Sequence, residues 1–237
     1  MSQTEKTIFL LLSGIAVIFL CTLGVWQTER LEWKTALIEE MEEAKNKPFI
    51  NVNIMASNNV FEESFYKYRK AHASGVVMKE SAHYLIPRVH DGKSGGHVVQ
   101  LVRLIPSHKY MIVDKGWLGK DDAFSTFKNV ASFNAKGRVR PFPTKGTFQP
   151  ENQIDDQEIY WIDRDFFIEK FKLSEEDLVP FIFEQTSKSR FETLIPHSET
   201  LELRNMHYYY ACFWFTMAFL LTLFAAFFLY KMSSNKE

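Results

Sequence analysis

Two long apolar stretches bracket a polar middle segment in this chain. Residues 7–28 and 208–230 contain no Asp, Glu, Lys or Arg. Each stretch is just over twenty residues long, which lets a helix cross about 30 Å of hydrocarbon. The pattern predicts transmembrane helices over residues 7–28 and 207–230, with one soluble domain over residues 29–206 between them.

A helical repeat continues beyond the first apolar stretch. Apolar residues recur there at spacings of three and four, while the other faces carry glutamates. This amphipathic stripe predicts that the first helix runs on over residues 29–47 and stops before Pro48. The residues of the stripe are Trp33, Leu37, Met41 and Ala44.

The middle of the domain, residues 65–185, changes to a β pattern. Short apolar runs alternate with segments rich in Gly, Pro, Asn and Asp, such as 88–96 and 141–152, which predict loops. Two short helices are predicted at Arg164–Phe171 and at 174–178. The predicted strands are 73–78, 83–86, 97–104, 110–114, 137–140, 159–162 and 181–184.

Together these patterns predict a membrane-anchored α+β protein. Two transmembrane helices flank a β-rich extracytoplasmic domain, which is either an antiparallel sheet or a partly closed barrel with helices at its membrane end. Two spans place both termini on one side of the membrane and the domain on the other. Basic residues lie near both ends of the spans, so charge does not decide the orientation.

The first apolar stretch has features of an anchor rather than of a signal peptide. It is longer than the usual signal-peptide core, and it ends without a small-residue cleavage site. Only six residues precede it, and they show no transit-peptide pattern. This favours a bacterial plasma membrane over the membrane of an importing organelle.

Composition and charge exclude some classes of function. The chain has 237 residues and a formal net charge of −1, so no basic excess is present to attract nucleic acid. Both cysteines, Cys21 and Cys212, lie within the apolar stretches, which leaves the soluble domain without a disulfide or a thiolate metal site. We expect them to be buried, inert thiols, although a bridge or a copper-binding pair stays open.

Sequence motifs typical of enzymes are absent. Ser94 and His97 lie close together, but no partner carboxylate is marked, so we do not expect a hydrolase. Five histidines of the β region have separations that fit no set of metal ligands on one element, and we expect half-buried strand residues. These are His72, His83, His90, His97 and His108.

A histidine at the water-facing end of the second apolar stretch is different. His207 fits the headgroup region because its ring is amphipathic, but imidazole is also a common axial ligand of haem iron. Tyr208 and Trp214 lie close by in the sequence and could pack against a porphyrin. The first stretch contains no histidine. A single ligand predicts weak or transient holding, which suits delivery of haem better than electron transfer.

The chain resembles the surfeit locus protein 1 family of cytochrome c oxidase assembly factors. Segment 23–34 matches the family's first signature, and segment 205–215 matches its closing signature of Asn-x-His, Tyr-Ala and Trp-Phe. Further matches follow in order, so the resemblance runs from about residue 23 to residue 218. Those in the domain are Tyr68-Arg69, Gly75, Tyr84, Pro87-Arg88, 96–99, Val113-Asp114, Gly116-Trp117, Gly137, Arg140, Pro150-Glu151-Asn152, Trp161 and Asp163.

The resemblance also has departures. Lys115 stands where the family usually has Arg, which puts a bidentate contact there in doubt. Met206 stands where many members have a second Asn. The resemblance implies that His207 is the candidate haem ligand, whereas Gly116 serves a turn and Trp117 serves packing.

The resemblance implies an assembly factor for cytochrome c oxidase rather than an enzyme. It would hold or deliver haem a to the oxidase core subunit, with the haem a synthesis enzymes and the lipid bilayer as further partners. The expected location is the bacterial plasma membrane, with cytoplasmic termini and a periplasmic domain. The alternative is a structural partner that stabilises the core subunit without touching haem. A haem-modifying enzyme lacks the extra ligands it would need, and the absence of thiols from the domain disfavours copper delivery.

Overall fold

The first helix is unbroken from the N-terminal apolar stretch into the polar region. In the computed structural model, α1 spans Gln3–Asn46 and α5 spans His207–Ser234. Both helices are long and apolar enough to cross a membrane, and only 6% of each apolar window is buried. The structure describes residues 3–120, 122, 124, 127, 129, 131–188, 193–199 and 203–234.

The chain forms two compact units. The helical unit consists of residues 1–40 and 202–237, and the barrel unit consists of residues 41–201. Within the helical unit α1 and α5 run antiparallel, because Phe9 contacts Phe228 with ring centroids 4.8 Å apart, while residues near the other end of α1 contact the start of α5. Contacts between the side chains of α1 and α5 thus hold the helical unit together.

Small residues allow the two helices to approach closely. Ala211, Ala218 and Ala225 are buried and recur every seven residues, which places them on one face of α5. On α1, a Cβ added to Gly24 would lie 2.7 Å from the ring of Phe215. Contacts between small residues are a common way for membrane helices to pack, since lipid supplies no hydrophobic drive for association.

The apolar stripe after the first span is only partly packed. Ala44 is buried, whereas Trp33 is 54% exposed. The guanidinium carbon of Arg30 lies 5.2 Å from the centre of a Trp33 ring. Trp33 therefore lies on the stripe without being buried, and its contact with the Arg30 guanidinium contributes to its stability there.

Five strands of the barrel unit close into a barrel. Neighbouring strands pair in the order β2–β6–β8–β5–β4, and β4 returns to β2 through the pairs from Gly75–Leu104 to Val77–Val102. All of these pairings are antiparallel except β5 with β8. The bounds are β2 Lys70–Val77, β4 Lys93–Leu104, β5 Tyr110–Gly119, β6 Ala131–Arg140 and β8 Leu178–Gln185.

Shorter elements surround the barrel. Strand β3 adds to β4, and the two-residue strands β1 and β7 pair parallel with β2 and β3. Helix α2 begins after Asn51, whose side chain accepts the backbone N–H groups of Asn53 and Ile54. The bounds are β1 Ile50–Asn51, α2 Val52–Asn58, α3 Glu63–Tyr66, β3 His83–His90, β7 Glu158–Ile159 and α4 Arg164–Phe171.

Two apolar layers stabilise the barrel unit. Phe181, Phe183 and Leu104 belong to one cluster of fully buried side chains, which also includes alternate residues of β2. On another face, Phe166 and Phe167 of α4 pack against side chains of β3, β4, β5 and β8 in a second cluster. The packed barrel therefore acts as a scaffold that positions the side chains at its strand ends and on its loops.

The predicted fold class is confirmed, with one refinement. Two candidate membrane helices flank a β domain, and the barrel is closed rather than partly closed. The loop predicted over 88–96 is wrong, because Asp91 and Gly92 form a two-residue turn with φ of 47° and 76° between β3 and β4. The helix predicted at 174–178 is also wrong. Asp177 instead accepts the N–H and O–H of Ser174 in a turn before β8.

Candidate functional site

His207 is the first residue of α5, and a short polar segment fixes this helix start. The side-chain oxygen of Asn205 accepts the backbone N–H of His207 at 3.4 Å. The Asn205 amide nitrogen donates to Oγ1 of Thr35 on α1 at 3.3 Å. The polar segment thereby ties the start of α5 to its neighbouring helix within the helical unit.

The imidazole of His207 is oriented by a glutamine of α1. Nδ1 of His207 lies 2.7 Å from Oε1 of Gln27, and Gln27 is buried with 8% exposure. An amide oxygen is only an acceptor, so in this arrangement Nδ1 carries the proton and donates it. Nε2 is then the unprotonated nitrogen, and it has no hydrogen-bond partner among the residues that the structure describes.

The aromatic side chains predicted to accompany His207 lie on different faces of α5. Trp214 follows it by seven residues, on the same face, and is partly buried beside Phe213 with ring centroids 5.1 Å apart. Tyr208 is 59% exposed, and its ring packs against Tyr209. The structure therefore places Trp214 on the histidine face and turns Tyr208 away from it.

The cysteines of the two long helices differ from the expectation of burial. Cys21 is free and partly buried, and Cys212 is free and exposed. The expectation of a buried thiol is wrong for Cys212, because its position on α5 faces away from the alanine face. An exposed position on an apolar helix is the ordinary outcome when lipid takes the place of a protein core.

A second polar cluster lies in the barrel unit. Nδ1 of His97 lies 3.0 Å from Oδ2 of Asp114, and Nε2 of His197 lies 2.9 Å from Oδ1 of the same carboxylate. The two rings meet edge to face with centroids 4.9 Å apart. One ligand atom from each of the three residues lies within 4.8 Å of the others.

A β-bulge brings these residues together. Between His97–Trp117 and Val99–Asp114 the register of β4 and β5 shifts by one residue. Gly116 in the bulge has a φ of 114°, and a Cβ there would lie 2.1 Å from the carbonyl oxygen of Ile195. The expectation of a turn at Gly116 is therefore corrected to a strand bulge.

The segment after β8 places His197 at this bulge. Trp117 and Ile195 exchange two backbone hydrogen bonds of 2.7 and 2.8 Å. The N–H of His197 donates to the carbonyl oxygen of Gln185 at 2.9 Å. Trp117 is 8% exposed, and its Nε1 donates to the carbonyl oxygen of Arg88, which agrees with the packing role expected for it.

Burial and charge act in opposite directions on this cluster. Burial alone would raise the pKa of Asp114, but the two imidazoles outweigh it and hold that pKa far below the usual range. Burial lowers the pKa of His197, and the Asp114 carboxylate outweighs this and raises it. Asp114 is therefore an ionised carboxylate with only 1% exposure.

The chain is similar to known proteins over most of its length. The model of the SURF1 family matches residues 14–219. The chain belongs to the SURF1 family. A SURF1-like protein of Rickettsia felis is 25% identical over 210 residues, which cover 86% of this chain and 89% of that protein. A SURF1-like protein of Dictyostelium discoideum is 27% identical over 100 residues, which cover 40% of this chain and 37% of that protein.

Membership of the SURF1 family places the chain among cytochrome c oxidase assembly factors, a membrane-associated family and not one known for enzymes. The two apolar helices agree with membrane anchoring. The SURF1 match covers both ends of the resemblance described above, including His207 and Gln27.

The structure of this SURF1 protein brings together residues that sequence reasoning left apart. The sequence marks no partner carboxylate for His97, and the structure shows that Asp114 is its partner. His197 and Gln27 were assigned no role at all. Their partners lie 83 and 180 positions away, and no local spacing marks pairs that only strand register and helix packing create.

Proposed function

We propose that this protein holds haem a transiently and delivers it to the core subunit of cytochrome c oxidase. His207 is the proposed iron ligand, through Nε2. The observation that carries the proposal is the 2.7 Å contact between His207 Nδ1 and Gln27 Oε1. Histidines that bind metal usually donate their second ring N–H to a carbonyl or carboxylate, which fixes the tautomer and raises the basicity of the ligand nitrogen.

The proposed site has a single iron ligand, and this determines how tightly haem is held. The sequence of α1 contains no histidine to face His207 across the helical pair. Haem held by one imidazole is held less tightly than haem held between two. A recipient subunit that offers two histidines would therefore take the haem by ligand exchange.

The aromatic start of α5 is the proposed cover for the haem ring. Trp214 is on the face of His207, and Tyr208 and Phe213 are more than half exposed. Exposed rings beside an iron ligand offer apolar contact to a porphyrin without enclosing it. The haem a synthesis enzymes are the proposed donors of this cargo, and the lipid bilayer is the proposed surrounding.

We place the protein in a bacterial plasma membrane. The termini are proposed to be cytoplasmic and the barrel unit periplasmic, in keeping with the resemblance to the family. With this orientation His207, at the barrel-side end of α5 in the sequence, lies near the periplasmic face of the bilayer. Oxidase haem would then be offered at a defined depth of the membrane.

The test is the visible absorption spectrum of the full chain purified in detergent after co-expression with the haem a synthesis enzymes. We expect haem a bands in the wild-type protein, loss of most of the haem in His207→Ala, and recovery when imidazole is added to that variant. His90→Ala is the matched control, because His90 lies in β3 of the barrel unit. It should keep the bands.

Two results would contradict the proposal. Bands that persist unchanged in His207→Ala would place the ligand elsewhere. Folded wild-type protein without any bands would favour the alternative, a structural partner that stabilises the core subunit without haem. Oxidase assembly supported by His207→Ala would point the same way.

A further inference from the structure

We propose that His97, Asp114 and His197 form a binding site for a divalent transition-metal ion in the barrel unit. The three side chains come from β4, from β5 and from the segment after β8, and their ligand atoms lie within 4.8 Å of one another. The site is independent of His207, which belongs to the helical unit.

The position of His197 favours metal binding over a simple hydrogen-bonded triad. Its buried Nε2 lies 2.9 Å from Oδ1 of Asp114, but the orientation of the ring is poor for a hydrogen bond to that oxygen. A buried ring nitrogen without a hydrogen bond normally costs free energy. When a metal ion replaces the proton on this nitrogen, the nitrogen and the carboxylate oxygen both direct lone pairs at that ion, and the cost disappears. The 2.9 Å separation fits this arrangement, because ligand atoms around a metal lie about 3 Å apart at bond lengths of about 2 Å.

The backbone of the bulge already supports the carboxylate oxygen that faces His197. Oδ1 of Asp114 accepts the N–H of Gly116 in the bulge at 3.1 Å. Ligating carboxylates are usually held by such outer hydrogen bonds, and the left-handed backbone of Gly116 directs its N–H group inward. The bulge therefore fixes the central ligand of the proposed site.

The ligand set selects the class of ion. Two imidazoles and one carboxylate suit Zn²⁺, Fe²⁺ and related first-row ions, whereas Mg²⁺ and Ca²⁺ prefer oxygen ligands alone. Asp114 is 1% exposed, but the side chains of His97 and His197 are 20% and 15% exposed. The imidazole side is thus the more accessible side of the site, and we expect water to complete the coordination there.

Charges around the site set the expected affinity. Arg88 lies close enough to Asp114 for their charges to interact, and its positive charge opposes a dication. Glu184, which acts on His197, pairs with both Arg138 and Arg140, so this group of charges is also net positive and opposes a dication. We therefore expect a weaker and more exchangeable site than a structural zinc site, and Arg88→Gln should tighten it.

The experiment is a titration of the purified, metal-free full chain with Zn²⁺ in detergent. Binding is measured by calorimetry, and its effect on stability is measured as the midpoint of thermal unfolding of the barrel unit. We expect one equivalent of Zn²⁺ to bind in a His207→Ala background and to raise the midpoint, since the ion joins three separate segments. Binding should weaken at least tenfold in His197→Ala and in Asp114→Asn, and stay unchanged in His90→Ala. Substitution with Co²⁺ should give visible absorption bands that the same two variants lose.

Folding is checked separately, because Asp114 is buried. His197 is partly exposed, so His197→Ala is the variant expected to keep the circular dichroism of the wild type. Absence of Zn²⁺ binding by folded wild-type protein would overturn the proposal. So would binding that His90→Ala abolishes or that folded His197→Ala retains.

Discussion

His207 and Gln27 stand 180 positions apart in the chain and meet side chain to side chain, with Nδ1 2.7 Å from Oε1. Neither residue could fix the imidazole alone, because a histidine at a helix start is free to rotate about two torsions. The buried amide of Gln27 selects one ring orientation and one tautomer. A ligand nitrogen thereby becomes available before any haem arrives.

Removing this contact tests whether orientation matters for haem. With Gln27→Leu we expect haem a occupancy to fall about 10- to 100-fold, because the acceptor that orients the imidazole is lost while the ligand stays. With Gln27→Glu we expect tighter binding and a lower midpoint potential, since a carboxylate makes the imidazole more basic. Occupancy is measured by visible absorption and the potential by redox titration.

Thr35→Ala is the control for the pair. It removes the 3.3 Å contact with Asn205 and the hydrogen bond of the Thr35 hydroxyl to the Leu31 carbonyl, and neither involves the ring of His207. Occupancy should therefore stay within about twofold of wild type, a change smaller than one neutral hydrogen bond can contribute. Equal effects of Thr35→Ala and Gln27→Leu would mean that both act through helix packing and that the imidazole is not specifically oriented.

Acid should destabilise the barrel unit partly through His83. Burial lowers the pKa of this histidine to about 4, and the side chain is 1% exposed among Phe166, Phe167 and Phe171. The unfolded chain takes up a proton near pH 6.5 and the folded chain only near pH 4. The free energy of unfolding should therefore fall by about 3 kcal/mol over this window from this residue.

The comparison variant is His83→Gln, which can still donate a hydrogen bond to the Ser81 carbonyl that Nδ1 of His83 now contacts at 2.9 Å. Urea unfolding, followed by tryptophan fluorescence between pH 7 and pH 4, should give a shallower loss of stability for this variant. Parallel curves for the two proteins would show that His83 is not the group that titrates.

A buried ion pair links two strands of the barrel. Oε2 of Glu184 on β8 accepts from Nη2 of Arg138 on β6 at 2.6 Å, and its other oxygen pairs with Arg140. We expect Glu184→Gln to lower the free energy of unfolding by about 3–5 kcal/mol, because a buried guanidinium loses its counter-charge. In Glu151→Gln, which breaks an exposed pair with Lys145, the loss should stay below about 1 kcal/mol. Urea unfolding of both variants checks the difference.

The proposed orientation can be read from the labelling of single cysteines. In a background with Cys21 and Cys212 replaced by Ser, Lys93→Cys at the β3–β4 turn should react with a membrane-impermeant maleimide in cells with a permeable outer membrane. Lys231→Cys at the end of α5 should react only after the plasma membrane is opened. Both side chains are exposed, so access of the reagent is the variable. The reverse pattern would place the barrel unit in the cytoplasm.

Much of the fold could be predicted from the sequence, because its signals are local. A run without charges predicts a long helix, and Pro48 agrees with the end of α1 at Asn46. The predicted strands fall within β2, β3, β4, β5, β6 and β8 for most of their length, whereas the strand predicted at 159–162 shares only Ile159 with β7. The closing pair of β2 with β4 could not be predicted, since it depends on the register of distant strands.

Errors in the prediction arose where the same sequence signal fits two different local structures. Asp91-Gly92 is a strong hairpin signal, but the surrounding glycines and polar residues were interpreted as a loop. Ser174 and Asp177 have the spacing of a helix cap, and the same hydrogen bonds close a single turn when a strand follows at once. His97 and Asp114 came from motifs of the resemblance, but only the bulge at Gly116 shows that they touch.

The alanine face of α5 has a consequence for the variation that the protein tolerates. Positions 211, 218 and 225 are buried, so saturation mutagenesis should accept only small residues at every seventh position there. Exposed positions between them, such as Phe219 and Phe224, should accept almost any apolar side chain. Tolerance to substitution should thus vary with a period of seven residues along α5, although the hydrophobicity of this segment is uniform.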